Sequence, residues 1–200
     1  KGSDIGPVDV ITGGFPCQDL SGEGRGAGIG VGTRSGLFRE MLRLACEIRE
    51  IKGRLPYIIF ENVSRLLSGP AENPGEWFGE FLWALAEVGY DAEWFCITAS
   101  SIGAPHERER VCVIAYSNET PIERGGISRR VSSQHSTIDR ADSWWRDGFC
   151  ERKFYRMDDG VSKRSHSIRN GIMGNAIVPH VFAIPMRALR EAHEAHFETS

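Results

Sequence analysis

The chain has no run of about 18 apolar residues, the length a helix needs to cross a bilayer, so no membrane span is expected. Paired cysteines are also missing. Five cysteines, an odd number with no Cys-x-x-Cys spacing, argue against a disulfide framework or a zinc site. The glycine-rich stretch Gly22, Gly24, Gly26, Gly28, Gly30 and Gly32 contains no Gly-x-Gly-x-x-Gly spacing, and helical sequence resumes only near Leu37. That order sets aside a dinucleotide loop. A loop that closes over a substrate fits better, with a flexible surface loop as the plainer alternative. His193-x-x-His196 has no companion ligand set and reads as an exposed helix face. No secretory signal is visible. A net charge of −3 does not by itself suggest a nucleic-acid binder. What is present is 200 residues, 40% of them hydrophobic, enough for one good core and expected in the cytoplasm.

The residues that carry chemistry fall at the ends of apolar segments. Residues 8–12 read as a strand, followed by Gly13-Gly14-Phe15-Pro16-Cys17-Gln18. A cysteine at a strand's carboxyl end is a candidate nucleophile, because backbone N–H groups and nearby cations favour the reactive thiolate. Residues 57–63 form a β-branched and aromatic run that reads as a buried parallel strand and ends in Glu61-Asn62. Ligands in open α/β sheets bind beyond the carboxyl ends of strands, where Cys17 and Glu61 both fall. Gly103-Ala104-Pro105-His106-Glu107-Arg108-Glu109-Arg110 leads into a strand at 111–116, and alternation points Arg108 and Arg110 the same way. Gly174-Asn175-Ala176-Ile177-Val178-Pro179 reads as a turn opening a helix at about 178–193 with proline in its first turn. Each motif has a plainer reading. Glu61-Asn62 could cap a turn, the arginines could pair with Glu107 and Glu109, and Gly174-Asn175 could be an ordinary turn.

Taken together, in this order, Pro-Cys-Gln, Glu-Asn-Val, a variant of Gln-x-Arg-x-Arg and Gly-Asn-Ala-Ile-Val-Pro resemble the cytosine-C5 DNA methyltransferase family of bacteria and phages. Arg34-Ser35-Gly36-Leu37-Phe38 fits the same pattern. The resemblance implies an α/β fold containing part of a Rossmann-like methyltransferase sheet, S-adenosylmethionine as cofactor and double-stranded DNA as partner. It also implies that Cys17 adds to C6 of a flipped-out cytosine, because C5 is a poor nucleophile until a thiolate pushes electron density onto it. By the same resemblance Glu61 in its protonated form serves ring N3 and the exocyclic amine, and Arg110 holds the O2 carbonyl. Arg108 shapes the site, and Asn62 orients the Glu61 loop. His106 stands where the family often has glutamine, and it can still donate or accept a hydrogen bond.

Cofactor contacts carried over by motif position are Pro16, Leu37, Asn175, Ala176 and Ile177. The family's upstream Phe-x-Gly-x-Gly loop and acidic strand end have no counterpart before Cys17. The chain is therefore expected to be a C-terminal portion of a longer enzyme or half of a split one, with a missing N-terminal segment or a second chain completing the cofactor site.

Three regions are expected: a catalytic α/β core at 1–116, a short target-recognition insert at 117–170, and a final motif and helix returning to the core at 171–200. The insert holds 11 Lys or Arg against 8 Asp or Glu, whereas the remainder holds 13 against 19. Arginine interleaved with serine and aromatics suits phosphate contact and base readout. Expected DNA contacts are Ser21 and Arg25 in the glycine loop and Arg129, Arg130 and Arg164 in the insert; a polar linker is the plainer reading of 117–170. Helical stripes are expected at Leu37, Met41, Leu44, Ala45 and Ile48, and at Phe78, Phe81, Leu82, Leu85 and Val88. Asn73 is the expected N-cap of the second helix, with Pro74 at its first position and Gly89 past its end. The final helix is expected to pack against the missing cofactor half. The reaction this implies is methyl transfer to cytosine C5 in DNA, for modification or protection against restriction. Two other readings stand beside it: a transfer-RNA cytosine methyltransferase, and a non-catalytic DNA-binding or partner module.

Overall fold

Side-chain alternation along four strands sorts the apolar residues of this chain onto the two faces of one sheet. The computed structural model describes residues 1–15, 35–102, 107–120, 122–123, 125–137 and 179–197. Its elements are α1 (Gly2–Ile5), β1 (Val10–Gly14), α2 (Phe38–Lys52), β2 (Tyr57–Asn62), α3 (Arg65–Ser68) and α4 (Glu76–Val88), followed by β3 (Tyr90–Thr98), β4 (Glu109–Ser117), α5 (Gly126–Thr137) and α6 (Pro179–Phe197). The strand order is β1-β2-β4-β3. β1 runs parallel to β2, and β4 runs antiparallel to both β2 and β3. The result is the expected α/β class, with an open mixed sheet.

Ile58 and Phe60 of β2 and Val111, Val113 and Ala115 of β4 point towards α2 and α4. There Phe81 stands among Phe15, Phe38, Phe60 and Phe78, with ring centroids 4.9 to 6.1 Å from its own. Each such ring contributes about 1.5–3 kcal/mol by leaving water. Ile59, Ile114 and Tyr116 point the opposite way, into a cluster with Ile127 and Val131 of α5 and Val181, Ile184, Ala188 and Leu189 of α6.

Several expected boundaries move. β1 ends at Gly14, not at residue 12, because the paired glycines continue the strand. A Cβ on Gly13 would lie 3.0 Å from the Met41 side chain, so glycine there permits close helix packing. The buried stripe of α2 is Phe38, Leu42, Ala45 and Ile48. Leu37 lies in the 3-10 turn before the helix and is 51% exposed, so it is not core, and Leu44 is only half-buried. α4 starts at Glu76 with Gly75 as N-cap in the left-handed region at φ +84°. Asn73 and Pro74 therefore precede the helix, and the Asn73 carbonyl accepts from Glu76 N at 3.2 Å. Gly89 does end α4, at φ +95°, as expected.

α6 packs on α5 and on the sheet face through its apolar residues. Its apolar face thus already has a cover within this chain. His193 is half-buried, not on an exposed face: its Nδ1 lies 2.9 Å from the Tyr57 hydroxyl. α5 falls inside the 117–170 stretch, yet Ile127 and Val131 are buried in the sheet-face cluster. No helix among the described residues is long and apolar enough to cross a membrane.

Candidate active site

β1 and β2 are parallel and β4 is antiparallel to β2, so the carboxyl ends of the first two strands and the amino end of β4 meet at one end of the sheet. Glu61 is the fifth residue of β2. In register it faces Gly14 on one side and Cys112 on the other. Alternation puts its side chain, with those of Arg110 and Cys112, on the face that α5 and α6 cover.

Arg110 lies two residues from Cys112 on β4, a diagonal that a long side chain spans. Its Nε is 2.8 Å from Glu61 Oε1, and each side chain keeps only 15% of its surface exposed. Arg110 also donates from Nη1 to the Glu109 carbonyl at 2.7 Å. The plainer reading, surface pairs with Glu107 and Glu109, does not account for the enclosed contact of Arg110 with Glu61. Glu107 accepts instead from Ser100 Oγ at 2.8 Å. Arg108 precedes β4, and its carbonyl accepts from Ala99 N at 3.0 Å.

Glu61 also depends on what Gly14 lacks. A Cβ at Gly14 would stand 3.1 Å from Glu61 Oε2, closer than the carboxylate tolerates without moving. On the other side Cys112 is fully buried, and its thiol is pushed up to about 12 by burial first, then by the charge of Glu61 and by Cys96. The Cys96 thiol is also raised, by burial and by Glu109.

Asn62 points to the opposite face and is 3% exposed. Its Nδ2 donates to the Phe15 carbonyl at 3.1 Å, and its Oδ1 accepts from Val63 N at 2.8 Å. The amide therefore ties the exit of β1 to the exit of β2. Sequence reading assigned Asn62 to the Glu61 loop, and the geometry adds the backbone two residues before Cys17.

Lys52, at the end of α2, donates to the Val8 carbonyl at 3.2 Å and also bonds Asp9, both before β1. The head of α2, with exposed Leu37, consequently lies at the far end, where β1 and β2 finish. Of the expected DNA contacts, Arg129 and Arg130 are on α5. Arg129 Nη2 is 2.7 Å from Glu123, and Arg130 Nη1 donates to the Gly126 carbonyl at 2.9 Å. Pro16, Cys17, Ser21, Arg25, His106, Arg164, Asn175, Ala176 and Ile177 lie outside the described residues.

The structure thus brings Glu61 and Arg110 together with Gly14 and Cys112, and Asn62 on the opposite face with the Phe15 carbonyl; Gly14, the Phe15 carbonyl and Cys112 are the groups that the motifs did not flag. Cys112 could have been found by counting two from Arg110; the other two depend on register. A cavity of about 360 Å³ lies at the opposite end of the strands, against Val10, Tyr57, Leu189 and His193, away from this site. Among the described residues no cluster of His, Cys, Asp and Glu has the makings of a metal site.

Comparison with known proteins bears on this arrangement. A family model described as C-5 cytosine-specific DNA methylase matches residues 1–169. The chain is similar to the Type II methyltransferase M.Sau3AI of Staphylococcus aureus, 35% identical over 56% of this chain and 26% of that protein. It is similar to the Type II methyltransferase M1.ScrFI of Lactococcus lactis subsp. cremoris, 30% identical over 78% of this chain and 41% of that protein. The orphan methyltransferase M.SssI of Spiroplasma monobiae is 38% identical over 56% of this chain and 28% of its own length. The chain thus spans roughly a quarter to two fifths of these relatives. Among solved structures, the S. pombe Dnmt2 methyltransferase aligns with a TM-score of 0.40 at 21% identity, over 60% of this chain and 34% of that one.

Proposed function

The chain belongs to the C-5 cytosine-specific DNA methylase family, and from that premise we propose that it carries the catalytic part of an enzyme that methylates C5 of cytosine in double-stranded DNA, with S-adenosylmethionine as methyl donor. The observation that carries the reading is the junction at the strand ends. Glu61 and Arg110 stand 2.8 Å apart beside glycine, and Asn62 holds the Phe15 carbonyl two residues from Cys17. Chain connectivity alone keeps the Cα of Cys17 within about 7 Å of that of Phe15.

In this reading the Cys17 thiolate adds to C6 of a flipped-out cytosine and moves electron density towards C5. Glu61 addresses N3 and the exocyclic amine, Arg110 addresses O2, and Arg108 shapes the pocket. Asn62 positions the backbone that leads to the nucleophile. A cytosine entering the site exchanges its own polar edge for the Glu61–Arg110 contact.

S-adenosylmethionine would supply an electrophilic methyl group. Leu37 is the described member of its expected contacts, and a half-exposed leucine at the strand-end side of α2 is suited to cover an apolar part of the cofactor. Pro16, Asn175, Ala176 and Ile177 would complete the set, with a further N-terminal segment or second chain supplying the remainder. The biological role would be DNA modification or protection against restriction, as the Type II names of the relatives suggest.

The test is denaturing mass spectrometry after incubation with S-adenosylmethionine and duplex DNA carrying 5-fluorocytosine, with Cys17→Ser as control. Fluorine at C5 blocks the elimination that would release the enzyme, so the covalent adduct persists. A mass shift that disappears in Cys17→Ser is the expected result. Absence of any shift would mean that these 200 residues do not act alone, leaving the split-enzyme and non-catalytic forms.

A further inference from the structure

Outside the strand-end site, the described side chains hold one nearly buried carboxylate that the proposed reaction does not use. Glu93, in β3, is 8% exposed and points to the face that α5 covers. Its Oε1 accepts from the Tyr116 hydroxyl at 3.3 Å and from Gly125 N at 3.1 Å. Its Oε2 accepts from Ser128 N at 2.7 Å and from Ser128 Oγ at 2.6 Å. Three of the four donors therefore belong to the first turn of α5 and the residue before it. A buried carboxylate is costly unless hydrogen-bonded, and here it meets otherwise unpaired N–H groups at the positive end of a helix.

Besides these bonds, α5 is held by its packing against α6 and the sheet face. The apolar side chains it buries among the described residues are Ile127 and Val131. Gly125 enters the helix at φ +74°, a conformation that leaves the approach to the helix dependent on what its N–H meets. Arg129 and Arg130 follow Ser128 directly. Arg129 is 61% exposed, and its partner Glu123 is 79% exposed. An ion pair so open to water contributes little and is readily exchanged for a phosphate.

We propose that Glu93 is a positioning residue for DNA binding: its carboxylate fixes the first turn of α5 so that Arg129 and Arg130 meet the phosphate backbone of the duplex. The inference rests on the proposed function, since it takes double-stranded DNA as the partner. Glu93 itself touches no DNA and acts through the two arginines.

The experiment measures binding of the 200-residue chain to a fluorescein-labelled duplex by anisotropy across a salt series, with no cofactor needed. Each phosphate contact contributes about 0.9 to the slope of log affinity against log salt. Arg129→Gln/Arg130→Gln should lower that slope by about 1 to 2, and Glu93→Gln should lower it by a similar amount. Adding Glu93→Gln to the double arginine variant should lower it no further. General destabilisation would not produce this non-additivity, because the slope reports contacts made by folded molecules. Ser128→Ala, which removes one of the four bonds, should give a smaller fall with the thermal melt retained; if Glu93→Gln does not fold, Ser128→Ala decides by the same criteria. A folded Glu93→Gln with an unchanged slope overturns the inference, as does a fall that adds to that of the arginine variant. A wild-type chain that binds duplex while the arginine variant keeps its slope overturns this inference alone. A wild-type chain that binds no duplex overturns this inference, and with it the reading that these 200 residues engage DNA on their own.

Discussion

Arg110 Nε lies 2.8 Å from Glu61 Oε1 across the β2–β4 ladder, with both side chains largely withdrawn from water. A pair this enclosed is costly to break on one side, because the survivor is left as a buried charge without a partner. Arg110→Ala and Glu61→Ala are each expected to lower stability by about 3 kcal/mol. The double variant should cost clearly less than the sum, which urea unfolding of all four proteins in the cycle would measure. Additive losses would mean that the two side chains hold their places independently. All three variants should fail to form the covalent adduct with 5-fluorocytosine DNA.

Gly14 offers a way to disturb Glu61 without removing a charge. In Gly14→Ala the new Cβ would sit 3.1 Å from Glu61 Oε2, and Gly14 has no positive φ that would strain an alanine. Stability should therefore change by less than about 1 kcal/mol, while adduct formation falls at least tenfold. A variant as active as the wild type would show that the carboxylate position is not critical.

The strand ends that carry the candidate motifs are legible in the sequence, and the reason is covalent. Pro16-Cys17, Glu61-Asn62 and Arg108-x-Arg110 are short motifs whose chemistry depends on residue type, and the apolar runs beside them marked strand ends. What pairs with what depends on register. Gly14, Glu61 and Cys112 occupy one row of the sheet across three strands, and no local pattern announces that row. Gly13 and Gly14 fall beyond the strand expected at residues 8–12, because glycine weakens strands. They are strand here because Met41 and the Glu61 carboxylate need the space of the missing Cβ atoms. Nothing local marks Glu93, since its donors come from 23 to 35 positions later. The final helix was expected to turn towards a missing half; its apolar residues instead close over Ile59 and Ile114 together with α5.

Asn62 tests whether the exit of β1 is held from the side. In Asn62→Ala the Phe15 carbonyl loses its Nδ2 donor inside the protein, and Val63 N loses its acceptor. Leaving buried polar groups unpaired costs about 1–3 kcal/mol. Asn62→Asp keeps the acceptor for Val63 N but sets a carboxylate oxygen against the Phe15 carbonyl, so it should be the more damaging of the two at neutral pH. Thermal melts would rank them. If Asn62→Asp proves the more stable, Phe15 does not depend on this amide. Loss of adduct yield beyond the loss of folded protein would show that the clamp also serves the residues leading to Cys17.

The buried thiol beneath Glu61 carries a pH dependence of known sign. Cys112 is neutral when protonated, and burial raises its folded-state value to about 12 from an ordinary 9.0. The folded chain therefore holds this proton more tightly than the unfolded chain does. The resulting stabilisation is fully present below about pH 9 and is lost as pH rises from there through about 12. Each pH unit inside that window should remove about 1.4 kcal/mol relative to a variant without the thiol. Cys112→Ala costs packing at every pH, but it lacks this slope. The gap between wild type and Cys112→Ala in urea midpoint should thus be constant from pH 7 to 8.5 and narrow between pH 9.5 and 10.5. A gap that stays constant to pH 10.5 would mean that the thiolate finds a partner or water in the folded state. A thiol reagent at pH 8 should, by the same physics, leave Cys112 unmodified until urea unfolds the chain.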